Sequence, residues 1–113
     1  MALEKMFDEI SDIDIRALLQ SEVPEGKTME YKEFLPEDGY DSRKEFLADI
    51  SSFANTSGGY ILFGIKEEYG IPVGIPGVSV TDFDKEFLRL ENIIRDGIEP
   101  RISGIEIKKI VIA

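Results

Sequence analysis

The chain has 113 residues and a formal charge of -10, from 13 Lys and Arg against 23 Asp and Glu, a length that fits one domain and excludes a multidomain enzyme with its own cofactor domain. With no Cys and no His it has no disulfides, no zinc finger, no thiol nucleophile and no imidazole base, so any metal is oxygen-ligated and any proton transfer near neutral pH falls to carboxylates, Lys, Tyr or water. At 42% hydrophobic and 32% charged it has the composition of a folded domain rather than of a disordered or membrane-embedded chain.

The opening MALEKMFDEISD carries Glu4, Lys5, Asp8 and Glu9 and so lacks the apolar core of a signal peptide. It reads as a leader over residues 1–10, with the single domain's core over 11–113. Ser11 with Asp14 makes a capping-box-like start, and Ile15, Leu18 and Leu19 give a short helical stripe to about Gln20. Ser21–Lys27, with Pro24 and Gly26, is a loop. Thr28–Phe34 alternates Met29, Tyr31 and Glu33 against Glu30, Lys32 and Phe34, which predicts a strand. Pro36, Asp38 and Gly39 mark a turn.

Ser42 and Glu45 match the S-x-x-E capping box, and Phe46, Leu47, Ile50, Phe53 and Ala54 follow at helical spacing, predicting a helix over about Arg43–Asn55. Gly58-Gly59 ends it. Tyr60–Ile65 is a compact run of β-formers that predicts a central strand. Gly70 turns the chain into a short return strand, Ile71–Ile75, weakened by Pro72. Thr81 with Asp84 caps the next helix, whose Phe83, Phe87, Leu90 and Ile94 recur at helical spacing before Gly97 and Pro100 stop it. Ile105–Ile112 reads as a final strand that ends without a turn, which suggests a fragment of a longer protein. The order α-β-α-β-β-α-β predicts an α+β fold, a small mixed sheet packed with about three helices.

No run approaches the ~20 apolar residues of a membrane span, so a cytoplasmic protein without a membrane partner is expected. The first 50 residues hold 14 acids and 6 bases and the remainder 9 and 7. Gly26-Lys27-Thr28 has the ending of a phosphate-binding loop but lacks its earlier Gly, has Ser21 in that place, and stands before a strand rather than a helix. The Gly-rich Asn55–Gly59 turn offers backbone N–H groups to a phosphate or a base edge. It also follows a helix C-terminus, the wrong end of the dipole for an anion, which favours its reading as a helix cap and tight turn into the next strand. Glu25, Glu30 and the Glu67-Glu68 pair are either solvated charges or ligands for a hard cation such as Mg or Mn that activates water at a phosphodiester. Bases gather at Arg43-Lys44, Arg101 and Lys108-Lys109, and Lys32 stands beside Tyr31. These are phosphate contacts or ordinary surface charge, with the overall acidity opposing a strong electrostatic grip on nucleic acid.

Several segments together resemble one family. Glu25-Gly26-Lys27-Thr28-Met29-Glu30-Tyr31-Lys32 resembles an E-S-x-x-x-E-F-K pattern. Ser52-Phe53-Ala54-Asn55-Thr56-Ser57-Gly58-Gly59 follows a capped helix, and Tyr60–Ile65, Lys66-Glu67-Glu68-Tyr69-Gly70 and Val73-Gly74-Ile75 come close behind. With Ile98–Ile102 these are similar to the Schlafen-type AlbA domain, also described as a DNA-binding domain and a divergent AAA-like domain. The resemblance runs from about Ile15 to the end and implies an α+β fold that continues beyond this chain. It implies a DNA- or RNA-binding module at the N-terminus of a transcriptional regulator, acting with downstream domains. In animal Schlafen proteins the related fold binds RNA, and some cut transfer RNA with three carboxylates and a divalent metal. Carried over, the first two acids fall on Glu25 and Glu30. The third, an Asp after the central strand, is nearest to Glu67, with Lys66 preceding it and Gly26 replacing the usual Ser.

Three readings follow. In the first, a nucleic-acid-binding module makes contact through Lys32, Asn55, Thr56 and Arg101. In the second, a Mg- or Mn-dependent endoribonuclease uses Glu25, Glu30 and Glu67. In the third, the chain is a protein-interaction or dimerisation module, in which the final strand pairs with another chain or with a second copy as a homodimer.

Overall fold

A parallel pair of strands joined through a helix forms the centre of the computed structural model, which describes residues 5–98, 102 and 104–112. Helix α1 (Asp12–Gln20) precedes β1 (Met29–Lys32), α2 (Tyr40–Ala54), β2 (Tyr60–Phe63), the hairpin β3 (Lys66–Glu68) and β4 (Ile71–Gly74), and α3 (Phe83–Gly97). The order of helices and strands runs as expected through α3 except for one added strand, β3 (Lys66–Glu68), and the class is α+β.

β1 and β2 pair in parallel, Met29 opposite Tyr60 and Lys32 opposite Phe63. Parallel neighbours need a long crossover, and α2 supplies it. Alternation then sorts the side chains. Met29 and Tyr31 are buried, each 2% exposed, in one core with Ile10, Ile15, Leu18 and Ile65. Phe63, on the opposite face, packs at 6.0 Å between ring centres on Phe46 of α2, in a second core with Leu90, Ile93 and Ile94 of α3. The pair is therefore covered on both faces, as parallel strands require.

Local hydrogen bonds fix the helix starts. The Asp14 carboxylate accepts the Ser11 backbone N–H at 2.9 Å, closing the first turn of α1 as its spacing predicts. The box expected at Ser42 and Glu45 does not form. α2 begins earlier, after Gly39, and the Ser42 hydroxyl instead accepts the Glu37 N–H at 2.7 Å, stitching the preceding loop. The cap of α3 is Asp82, one residue after Thr81, and its carboxylate accepts the Lys85 N–H at 3.2 Å. Arg89 pins α3 to the loop before α2, donating to Asp38 at 2.9 Å and to the Pro36 carbonyl at 2.7 Å.

Three larger features also differ from the sequence expectations. The strands form two separate two-stranded sheets rather than one, because Lys66–Glu68 breaks from the β2 direction to pair with β4. The leader is partly core: Phe7–Glu9 forms a 3-10 turn and Ile10 is buried in the first core. The expected final strand joins no ladder among the described residues. Its side chains nevertheless divide between the cores, Ile105 and Ile107 on the second, Ile110 and Ile112 on the first. The alternation of this segment serves apolar burial on both cores. Lys108 secures it by donating to the carbonyls of Phe7 at 3.0 Å, Asp8 at 3.3 Å and Ile10 at 2.8 Å. No helix among the described residues is long and apolar enough to cross a membrane.

Candidate functional site

The alternation that buries Met29 and Tyr31 turns Glu30 and Lys32 toward α2. There the Lys32 ammonium meets three carboxylates, Glu45 at 3.3 Å, Asp49 at 3.5 Å and Glu30 at 3.6 Å. Glu45 and Asp49 are four residues apart and so share a helix face. Burial pulls the Lys32 ammonium down, but the charges of Asp49, Glu30 and Glu45 outweigh it and hold it above the usual lysine range. Burial, followed by the charge of Asp49, pushes the Glu30 carboxyl above its usual range against the opposing pull of Lys32.

Next to this cluster lies a cleft of about 250 Å³ lined by Glu25, Gly26, Met29, Glu30, Asp49, Ser52 and Phe53. A second cleft of similar size, lined in part by Lys32, Phe34, Leu35, Phe46 and Phe63, shares Asp49 as a wall. The first cleft is negative twice over. Three carboxylates line it, and its Ser52–Phe53 wall is the C-terminal turn of α2, the negative end of the helix dipole. Such a surface favours a cation and repels a bare phosphate.

Glu25 and Glu30 thus line one cleft, and Glu67, which does not line it, meets the Glu25 loop at Gly70. The Glu67 carboxylate accepts the Gly70 N–H at 2.6 Å, closing the β3–β4 turn. One Glu25 carboxylate oxygen accepts the Tyr31 N–H at 3.0 Å, and the Glu25 N–H donates to the Gly70 carbonyl at 2.8 Å. Among the described residues no three carboxylates converge at metal-ligand spacing. The residues present do not fit a three-carboxylate Mg or Mn site: Glu67 and Glu25 are engaged by backbone donors, and Lys32 already supplies the positive charge beside Glu30 and Asp49.

The Gly-rich turn is built as a helix end. The Phe53 carbonyl receives the Thr56 N–H at 3.1 Å, the Thr56 hydroxyl at 3.0 Å and the Gly58 N–H at 3.0 Å. The Asn55 N–H goes to Ser51. These donors are directed back into the chain, and the side chains of Asn55 and Ser57 are exposed. Gly59 is needed for close approach, since a Cβ would lie 2.8 Å from the Phe53 ring and 3.0 Å from the Thr28 carbonyl. Of the other expected contacts, Lys32 is enclosed as described, and Arg101 lies outside the described residues.

Sequence reasoning placed the turn at Gly70 but did not single out Asp49, Glu45 or Tyr69 as site residues. The available signal for the first two was their i, i+4 spacing on the helix that crosses over β1. At the tip, Glu68 pairs with Ile71, so Tyr69-Gly70 is a two-residue loop. Both residues have positive φ, 53° and 82°, the geometry of a type I′ turn. A tyrosine in the left-handed region costs about 1–2 kcal/mol, and its ring, fully exposed at 104%, recovers none of that by packing.

A small parallel strand pair with a crossover helix, a hairpin and a carboxylate-lined cleft defines the class of domain. The sequence model of the family described as Schlafen, AlbA_2 matches residues 25–113, and the chain belongs to that family. No curated protein and no solved structure matches the chain significantly.

Proposed function

We propose that this chain is a nucleic-acid-binding module, serving as the N-terminal domain of a cytoplasmic transcriptional regulator. The observation that carries this reading is its membership of the Schlafen, AlbA_2 family over residues 25–113. The surface electrostatics shape the form it takes. With Lys32 enclosed by carboxylates and the cleft negative, phosphates are not gripped through a broad basic face. Binding instead uses a limited set of contacts outside the cleft, and the enclosed Glu30–Lys32–Asp49 cluster holds β1 against α2 as a rigid support.

The test is fluorescence anisotropy of the full chain with labelled single-stranded and duplex DNA and RNA at low salt, where phosphate contacts are strongest. Saturable binding to at least one of the four is expected. Absence of binding to all four overturns the reading.

A further inference from the structure

The β3–β4 hairpin ends in an aromatic residue held in a costly conformation with no partner of its own. Tyr69 has φ 53° and is fully exposed, where Asn, Asp or Gly would form the same turn more easily. The tip is nevertheless fixed. The Glu67 carboxylate holds the Gly70 N–H at 2.6 Å, and the Glu25 N–H holds the Gly70 carbonyl at 2.8 Å. The ring is therefore presented on a rigid turn beside the loop that carries Glu25. Lys27, in the turn following Glu25, and Lys66, which opens β3, are both exposed, and among the described residues neither enters an ion pair, in contrast to Lys32.

We propose that Tyr69 is a stacking platform for an unpaired base of single-stranded nucleic acid, with Lys27 and Lys66 as its phosphate contacts. This rests on the nucleic-acid reading above and names the site and the strand form. The physical reason is the charge. A chain of net -10 gains little from long-range attraction to a polyanion, so affinity must come from contacts that charge does not govern. Base stacking on an aromatic ring is such a contact, and an unpaired base is the form of nucleic acid whose flat face is available to it.

The experiment is anisotropy of the full-length chain with fluorescein-labelled oligothymidylate, oligouridylate and a blunt DNA duplex across a salt series. Single strands should bind in preference to the duplex. Tyr69→Gly should weaken single-strand binding roughly tenfold or more, and Tyr69→Trp should retain it. Glycine tolerates the positive φ, so Tyr69→Gly keeps the fold, as circular dichroism will report. Two lysine contacts give a shallow log–log salt slope of about -1.4, and Lys66→Ala should reduce its magnitude by about 0.7. Equal affinity of Tyr69→Gly and the parent chain overturns the platform and leaves the nucleic-acid reading standing. Preference for the duplex also overturns it. No binding by the parent chain to any of the three probes overturns the platform at its foundation.

Discussion

The Lys32 ammonium stands 3.5 Å from the Asp49 carboxylate, joining β1 to the middle of α2 from the face of the sheet opposite Tyr31. With Glu30 and Glu45 it forms a cluster of three acids around one base, in which Lys32, Glu30 and Asp49 are half-buried and Glu45 is exposed. Removing the base exposes the acids to one another. Lys32→Met should destabilise the fold by about 1–2 kcal/mol at neutral pH, between the values for exposed and fully buried pairs, as a shifted midpoint in urea denaturation. Added Mn should raise the melting temperature of the variant and leave that of the parent chain unchanged, because only the variant presents Glu30 and Asp49 without an internal cation.

Glu30 sets a pH dependence of definite sign. Its folded-state carboxyl is raised by burial and by Asp49, so in the window above the unfolded value of 4.5 the native state binds more protons than the unfolded state. This group's contribution to stability therefore falls as pH rises through that window and recovers as pH falls back. Glu30→Gln should remove the dependence. The variant should melt above the parent chain at pH 7, with the gap narrowing toward pH 4 in calorimetric scans. An unchanged gap across that range would place the effect elsewhere.

Gly64 joins the end of β2 to the loop before α3, and its backbone explains why a glycine stands there. It has φ 87°, and a Cβ would lie 2.9 Å from the Gly77 backbone. Its N–H donates to the Lys32 carbonyl at 2.8 Å, and its carbonyl accepts the Gly77 N–H at 3.0 Å. Neither neighbour is a movable side chain. Gly64→Ala should cost about 2–4 kcal/mol, combining left-handed strain with overpacking, measured by chemical denaturation.

Lys108 ties residues 104–112 to the N-terminal turn through three carbonyls, and its ammonium also sits 5.5 Å from the Phe7 ring centre. Lys108→Met preserves the aliphatic stem and removes the donors. Stability should fall by about 1–2 kcal/mol. Amide hydrogen exchange should quicken around Phe7–Ile10 and over residues 104–112, with the amides of β1 and α2 unaffected.

The features legible in the sequence are those decided over short range. Ser11 and Asp14 lie within one turn, so their bond depends on nothing distant. Met29 and Tyr31 alternate with Glu30 and Lys32, and the strand follows. Leu90 and Ile94 recur at helical spacing and mark the buried face of α3. The Glu25–Glu30 pairing was legible through the resemblance, and the structure places both on one cleft. The Ser42 box failed because its hydroxyl had a competing donor in the Glu37 N–H. A four-residue pattern states what is available and leaves open which partner arrives.

By itself, then, the sequence determined the α+β class, the order of elements through α3 apart from β3, the burial parity of β1 and the membership of the family. Tertiary structure alone decided which charges meet. Glu67 lies one strand beyond the cleft-lining acids in the chain, yet its oxygen closes a hairpin. Glu45 and Asp49 belong to a helix that reads as a separate element, yet they enclose Lys32. The reason is geometric. Periodicity fixes which way a side chain points from its own backbone, but the parallel register of β1 and β2, set by burying both faces at once, fixes what it finds there.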